Sequence, residues 1–324
     1  MIRRRTFVLG IAAMAVPRPA SATPHSGKLR RIGIVSPGRP SPALAAFEQA
    51  LPRYGWFPRQ NIVIEARHAG GDATRIPAFV AELLRIPVEL LLVSSTALPA
   101  AVAATRTVPI IMAFAIDDPV EAGWVASLAR PGGNVTGITV YAAELTAKRL
   151  EILKTVVIGI KRVAILSWRS PGSDGQLNAA KAAALSLGLE HYVAGVADPS
   201  EYDRVFVAMK HEGAGGILVL SSSAFFAERR RIADLALKHR LPLVAPFREV
   251  ADSGGLLAYG PSIVGLWRDR LPVYVDRVLR GAKPAELPVE QPSTVELIIN
   301  GKTAKALGLT IPPSLLLRAD HVIE

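Results

Sequence analysis

The chain has 324 residues, half of them hydrophobic, with 38 Lys and Arg against 27 Asp and Glu and a formal charge of +11. It contains no cysteine, which excludes a disulfide framework, a thiolate metal site and a cysteine nucleophile. The length exceeds one compact core and suits two lobes, while the scattered basic residues lack the aromatic interleaving of a nucleic-acid surface, so no nucleic acid partner is expected.

The N-terminus reads as a cleaved export signal over residues 1–22. Arg3, Arg4 and Arg5 give a positive start, Phe7 to Val16 is an uncharged apolar run, and Ala20-Ser21-Ala22 is a small-x-small cleavage site. The apolar run is about half of the roughly 20 residues a spanning helix needs, so a permanent anchor is the weaker reading. Arg4-Arg5-Thr6-Phe7-Val8-Leu9 approximates a twin-arginine signal, but Arg3 stands where such signals usually have serine or threonine. Export to the periplasm is expected, and the route stays open between the twin-arginine and general pathways. Loss of Arg3, Arg4, Arg5 and Arg18 lowers the charge from +11 to about +7.

From Arg31 onward apolar runs alternate with helical patterns, the signature of β-α units and parallel sheets. Strands are predicted at Ile32 to Val35, Ile62 to Glu65, Leu90 to Val93, Ile110 to Ala113 and Val135 to Ile138. A second series follows at Val163 to Leu166, Tyr192 to Val196, Ile217 to Leu220, Leu243 to Ala245 and Leu256 to Ala258. Helical patterns lie between, at Ala43 to Tyr54, Ile76 to Leu84, Leu145 to Val156, Asn178 to Leu187, Tyr202 to His211 and Phe226 to His239. The fold class is α/β.

The chain also repeats itself. Arg31-Ile-Gly-Ile-Val-Ser36, Leu91-Leu-Val-Ser-Ser95 and Pro109-Ile-Ile-Met-Ala-Phe114 recur in the same order as Arg162-Val-Ala-Ile-Leu-Ser167, Leu218-Val-Leu-Ser-Ser222 and Pro242-Leu-Val-Ala-Pro-Phe247. Small polar residues fall after an apolar strand and before a helix in both halves, at the carboxyl end of a parallel strand where open α/β sheets bind ligands. Ser36, Ser94, Ser95, Thr96, Ser221 and Ser222 are therefore candidates for ligand binding, and each is equally suited to capping a helix or forming a turn. Asp117-Asp118 follows a strand and precedes Pro119, so one carboxylate is expected to cap the next helix while Asp117 faces the crevice and accepts hydrogen bonds from a ligand amine or amide. Phe114, Trp168, Phe247 and Tyr259 fall at or beyond strand ends and would form an apolar slot, with Trp168 and Phe247 least suited to the core because polar or turn residues flank them.

Catalytic patterns are missing from the sequence. There is no G-x-x-x-x-G-K-[ST] loop, Gly213, Gly215 and Gly216 do not complete G-x-G-x-x-G, and no G-x-S-x-G elbow occurs. The six histidines include no pair at metal-binding helical spacing. Neither cofactor, metal nor catalysis is expected.

Asp118-Pro119, Ser127-Leu-Ala-Arg-Pro-Gly-Gly-Asn-Val-Thr-Gly137, Lys148-Arg-Leu-Glu-Ile-Leu-Lys154, Phe247-Arg-Glu249, Gly254-Gly255, Tyr259-Gly-Pro261 and Ala306-Leu-Gly-Leu-Thr-Ile-Pro-Pro-Ser-Leu-Leu316 resemble the exported solute-binding proteins of bacterial ABC importers. More narrowly, from about Leu29 to the C-terminus, the chain is similar to the tryptophan/thiamine-precursor-like group with the type I periplasmic-binding fold. The resemblance implies two Rossmann-like lobes joined by a multi-strand hinge, closing over a small molecule that is passed to an ABC permease in the inner membrane. It places crossovers after Gly137, near Phe247 to Ser253 and near Ala282 to Pro288, giving lobe one at 29–139 plus 250–283 and lobe two at 140–249 plus 284–324. Thr136 and its neighbouring glycines then suit a hinge, with Thr136 also at the ligand.

Many relatives carry an Asn-Pro-rich loop after the first strand of lobe two, where this chain has Trp168-Arg169-Ser170-Pro171. An indole and a guanidinium there suit an aromatic or heteroaromatic acid or an amino acid. The protein is expected to be a monomer. Two other readings stay open: an exported sensor of the same fold feeding a membrane receptor, and a periplasmic α/β hydrolase, which needs a nucleophile-base pair that the sequence does not offer.

Overall fold

The structure, a computed structural model, describes residues 29–140, 143–169 and 174–324. The export signal and the Ser170-Pro171 part of the loop after Trp168 lie outside the described residues. Twelve strands are described: β1 Arg30–Ser36, β2 Ile62–His68, β3 Leu90–Ser94, β4 Ile110–Ala115, β5 Val135–Thr139, β6 Arg162–Trp168, β7 Glu190–Val196, β8 Gly216–Val219, β9 Leu243–Ala245, β10 Leu257–Gly260, β11 Glu296–Asn300 and β12 His321–Ile323. They form two sheets, β2-β1-β3-β4-β5 and β12-β11-β10-β9-β8-β6-β7. Every pairing is parallel except β10 with β11.

Each sheet is covered on both faces, which explains why its central strands are unbroken apolar runs. One face of the first sheet packs Ile32, Ile34 and Leu92 against Phe47 of the helix Pro42–Ala50 and Leu271 and Val275 of the helix Leu271–Leu279. The other face holds Val35, Leu91 and Met112 under Val80 and Leu83 of Ile76–Leu84 and Leu98 of Leu98–Ala104. The second sheet is buried in the same way, by Leu150, Leu153 and Val156 of Ala143–Val156 on one side and Val205, Phe206 and Met209 of Tyr202–His211 on the other. A fully buried leucine or isoleucine in such layers contributes about 1.5 to 3 kcal/mol.

All ten predicted strands are present, with ends within three residues of those expected. β11, β12 and the helices Ile263–Asp269, Leu271–Leu279 and Gly301–Leu307 are additional. The pattern read as one helix over Phe226 to His239 is two helices, Ser223–Ala227 and Arg229–Lys238, because the backbone departs from helical angles at Glu228 (φ −92°, ψ 12°).

The chain passes between the sheets later than the sequence reading placed it. β10 pairs with β9 in the second sheet, Leu257 against Val244, so residues 250–260 do not join lobe one and the second passage follows Gly260. Gly255 makes the tight return that puts β10 there: a Cβ on it would lie 2.9 Å from Val250 O. Leu287 to Glu290 still bond to the first sheet, through Thr136 Oγ1 donating to Leu287 O at 2.6 Å, Glu290 N–H to Gly137 O and Thr139 N–H to Glu290 O. The third passage therefore lies between Glu290 and Glu296, beyond the expected Ala282 to Pro288. Among the described residues no helix is long and apolar enough to cross a membrane.

Candidate functional site

The residues just beyond β4, β6 and β8 meet between the two sheets. Gln176, in the first turn of the helix Asp174–Ser186 that follows β6, is held by a two-way bond to the backbone beyond β8. Ser221 N–H donates to Gln176 Oε1 at 3.2 Å, and Gln176 Nε2 donates to Ser221 O at 3.4 Å. That arrangement leaves the amide group directed at Asp117, beyond β4 in the first lobe, whose carboxylate accepts from Gln176. Burial pushes the Asp117 carboxyl up to about 6, against the opposing effect of the Gln176 bond.

Asp118 behaves as the capping carboxylate, although what it caps is a turn and not a helix: its Oδ1 accepts from Val120 N–H at 2.8 Å and Glu121 N–H at 3.3 Å.

An aromatic ladder also crosses between the lobes. Phe114 meets Phe247 edge-on with ring centroids 6.4 Å apart, and Phe247 meets Phe226 at 6.0 Å. Phe247 is 3 % exposed and belongs to a core cluster of the first lobe, contrary to the expectation that flanking polar residues would keep it out of the core. Local sequence polarity misleads there because the first lobe supplies the apolar surface that covers the ring. Trp168 is half-buried and packs edge-on against Phe225 at 5.8 Å, which in turn meets Tyr202 at 6.3 Å. Beside it Arg169 forks onto Glu201 at 2.8 and 2.9 Å, so its charge is already paired within the second lobe.

The other predicted residues divide by environment. Ser94 is buried at the end of β3, and among the described residues its Oγ has no hydrogen-bond partner. The Ser95 hydroxyl accepts from Ile116 N–H at 3.3 Å and ties the ends of β3 and β4 together. Thr96 is exposed, and Ser36 is half-buried at the end of β1. Ser222 caps its helix by accepting from Ala224 N–H at 3.2 Å. Thr136 is fully buried with its hydroxyl engaged on Leu287 O, which makes it a hinge residue and removes it from the crevice. Tyr259 packs on the core of the second lobe and offers its carbonyl to Arg149, so its ring serves packing.

Three residues that matter here were not anticipated. Gln176 gives no sequence signal, since an amide in a first turn is unremarkable until its partners are known. Arg149, 5 % exposed, donates from Nε to Tyr259 O at 2.7 Å with no carboxylate beside it among the described residues, and burial lowers its guanidinium to about 10. Glu249, directly after the Phe247-Arg248 pair, has a buried Oε2 without a partner among the described residues and a carboxyl raised first of all by burial. A cavity of about 490 Å³ opens at the hinge, lined by Ser262, Arg268, Arg270, Glu290 and Thr294 among others, and contains none of the crevice residues. Within its lining Arg270 pairs with Glu290 and Arg268 with Asp269. Among the described residues no group of three His, Asp or Glu is placed to hold a metal ion.

The carboxyl ends of parallel strands are where open α/β sheets bind small molecules. Residues 44–323 match the family model described as ABC transporter substrate binding protein. A tyrosine-binding protein of Clostridioides difficile is 28 % identical over 272 residues, covering 82 % of this chain and 76 % of that protein. An ABC domain from Streptococcus pneumoniae in complex with L-Trp superposes with a TM-score of 0.83 at 25 % identity, covering 91 % of this chain and 99 % of the other. A conserved domain protein from Vibrio cholerae superposes at 0.84 with 22 % identity, over 91 % of this chain and all of the other. With a family match spanning nearly all the described residues and a fold shared in both lobes, the chain belongs to the ABC transporter substrate-binding proteins, with the type I periplasmic-binding fold.

Proposed function

We propose that the protein, exported to the periplasm as a monomer, captures an amino acid or an aromatic acid in the crevice between its lobes and delivers it to an inner-membrane ABC permease. The observation that carries this reading is the meeting of Asp117, Gln176 and Ser221 between the sheets, beside the Phe114, Phe247 and Phe226 rings. Polar groups that anchor and rings that stack are the ingredients of a site for a small aromatic zwitterion or acid. The buried Ser94 hydroxyl adds an unpartnered donor and acceptor, and a buried hydroxyl without a partner costs about 1 to 3 kcal/mol that a ligand would recover. The tyrosine and tryptophan named for the relatives support the same class of guest.

The lobes would then be 29–139 with 261–290, and 143–260 with 291–324, moving about the end of β5 and the Glu290 segment bridged to it. Binding without turnover is the reading that the substrate-binding family supports. A thermal-shift panel of amino acids, their deaminated acids, sugars and polyols tests the reading. Stabilisation by L-tryptophan, L-tyrosine or an aromatic acid is expected, and a response confined to sugars or polyols would overturn it. Mass analysis of the periplasmic protein should find Thr23 at the N-terminus; an intact Met1 would refute cleavage.

A further inference from the structure

Phe247 is carried by the second sheet, just beyond β9, yet its ring is buried in the first lobe. It is 3 % exposed in a core cluster whose every other buried member comes from residues 29–140 or 261–290. Phe226, beyond β8, packs partly buried against the same cluster. Edge-on contacts join the three rings, Phe247 to Phe114 at 6.4 Å and Phe247 to Phe226 at 6.0 Å.

Both rings of the second lobe stand on fixed supports. A Cβ on Gly260 would overlap Pro246 O, so the end of β10 closes against the backbone that leads into Phe247. Arg229 lies over the Phe226 ring with Cζ 5.0 Å from its centroid, and donates from Nη1 to Phe226 O at 2.9 Å. The rings also stand inward of the hinge. β4 neighbours β5, and β9 neighbours β10, the strands from which the chain leaves each sheet. Phe114 and Phe247 therefore lie one strand spacing, about 4.8 Å, inside the hinge, and Phe226 one spacing further out. Parting the lobes about those strands draws Phe247 out of the first lobe and wets its ring.

We propose that Phe247, backed by Phe226, is an interlobe latch that holds the lobes closed before a ligand arrives, and so sets the affinity and the speed of loading. This goes beyond the functional reading above and holds for any guest. Affinity scales with the population of the binding-competent state, so a latch that favours closure spares the guest part of that cost. The same grip slows entry, because the crevice must open before a small molecule passes. Loss of the Phe247 ring should shift the closed-to-open ratio about tenfold or more toward open.

Small-angle scattering of the purified protein without ligand is the first test. The parent should be compact, and Phe247→Ala expanded when empty, returning to the parent's dimensions on addition of L-tryptophan. Phe226→Ala should move the same way by less, and it carries the test if Phe247→Ala does not fold. Phe206→Leu, inside the second lobe's own core, should lower the denaturation midpoint and leave the scattering unchanged. Equal dimensions for the empty parent and both ring variants would overturn the proposal. Stopped-flow binding of L-tryptophan is the second test. Phe247→Ala should associate faster and dissociate faster still, with a net loss of affinity, whereas a ring that only touched the guest would speed dissociation alone, and that outcome also refutes the latch. If L-tryptophan does not bind the parent, the ligand class proposed above fails, and the scattering of the empty proteins still decides the latch.

Discussion

Gly137 shows how one residue can fix a passage between lobes. Its φ of +127° is open to glycine alone, and a Cβ there would sit 2.4 Å from Met112 O and 2.5 Å from Met112 N. Gly137→Ala is expected to destabilise the protein by about 3 kcal/mol or more, through backbone displacement on top of the positive φ, measurable as a lowered urea midpoint. Ser94→Ala should do the opposite. It removes a buried oxygen that has no partner, so stability should hold or rise, while binding of the aromatic probe falls about tenfold if the ligand completes that oxygen's bonding. A fall in stability with unchanged binding would make Ser94 structural. Arg149 illustrates what the sequence conceals at this scale. Lys148-Arg149 reads as a charged pair on an exposed face, yet the guanidinium is buried and clips the end of β10 to the helix Ala143–Val156.

At the scale of elements, the hinge is a bundle of short backbone segments locked by a few bonds. Thr136 joins β5 to Leu287, Glu290 pairs with Gly137 and Thr139, and Arg270 Nε holds the Glu290 carboxylate at 2.9 Å. Thr136→Val keeps the shape but leaves the Leu287 carbonyl unpartnered in a buried position, so a loss of about 1 to 3 kcal/mol is expected in chemical denaturation; no change would show that the bond is not a hinge constraint. The strands were legible because parallel strands covered on both faces are continuous apolar runs. β11 carries a similar run, Glu296-Leu-Ile-Ile-Asn300, but lies apart from the duplicated pattern, and its antiparallel place beside β10 follows from where the third passage returns. The helix Leu271–Leu279 begins at a proline-containing first turn and ends on basic residues, signals that are weak without the sheet it covers.

For the molecule as a whole, each lobe has cores of its own, and the contacts between the lobes run through the hinge and through Phe247 and Phe226, which the second lobe packs into a core of the first. A ligand held by both lobes therefore acts on stability as a linkage term. At a hundred times its dissociation constant it should add about 2.7 kcal/mol, raising the melting temperature by roughly 5 to 10 °C at the usual 2 to 4 °C per kcal/mol for a chain of this size.

The sequence by itself determined the α/β class, the duplicated halves and ten of the twelve described strands, because burial and turn chemistry are local and leave periodic traces. Only the tertiary structure decided where the chain crosses between lobes, which serines are already engaged, and that Asp117 meets Gln176 while Phe247 lies in a core. Those outcomes depend on surfaces brought together from distant parts of the chain, and a side chain's partners across such distances are set by packing geometry that no local pattern records.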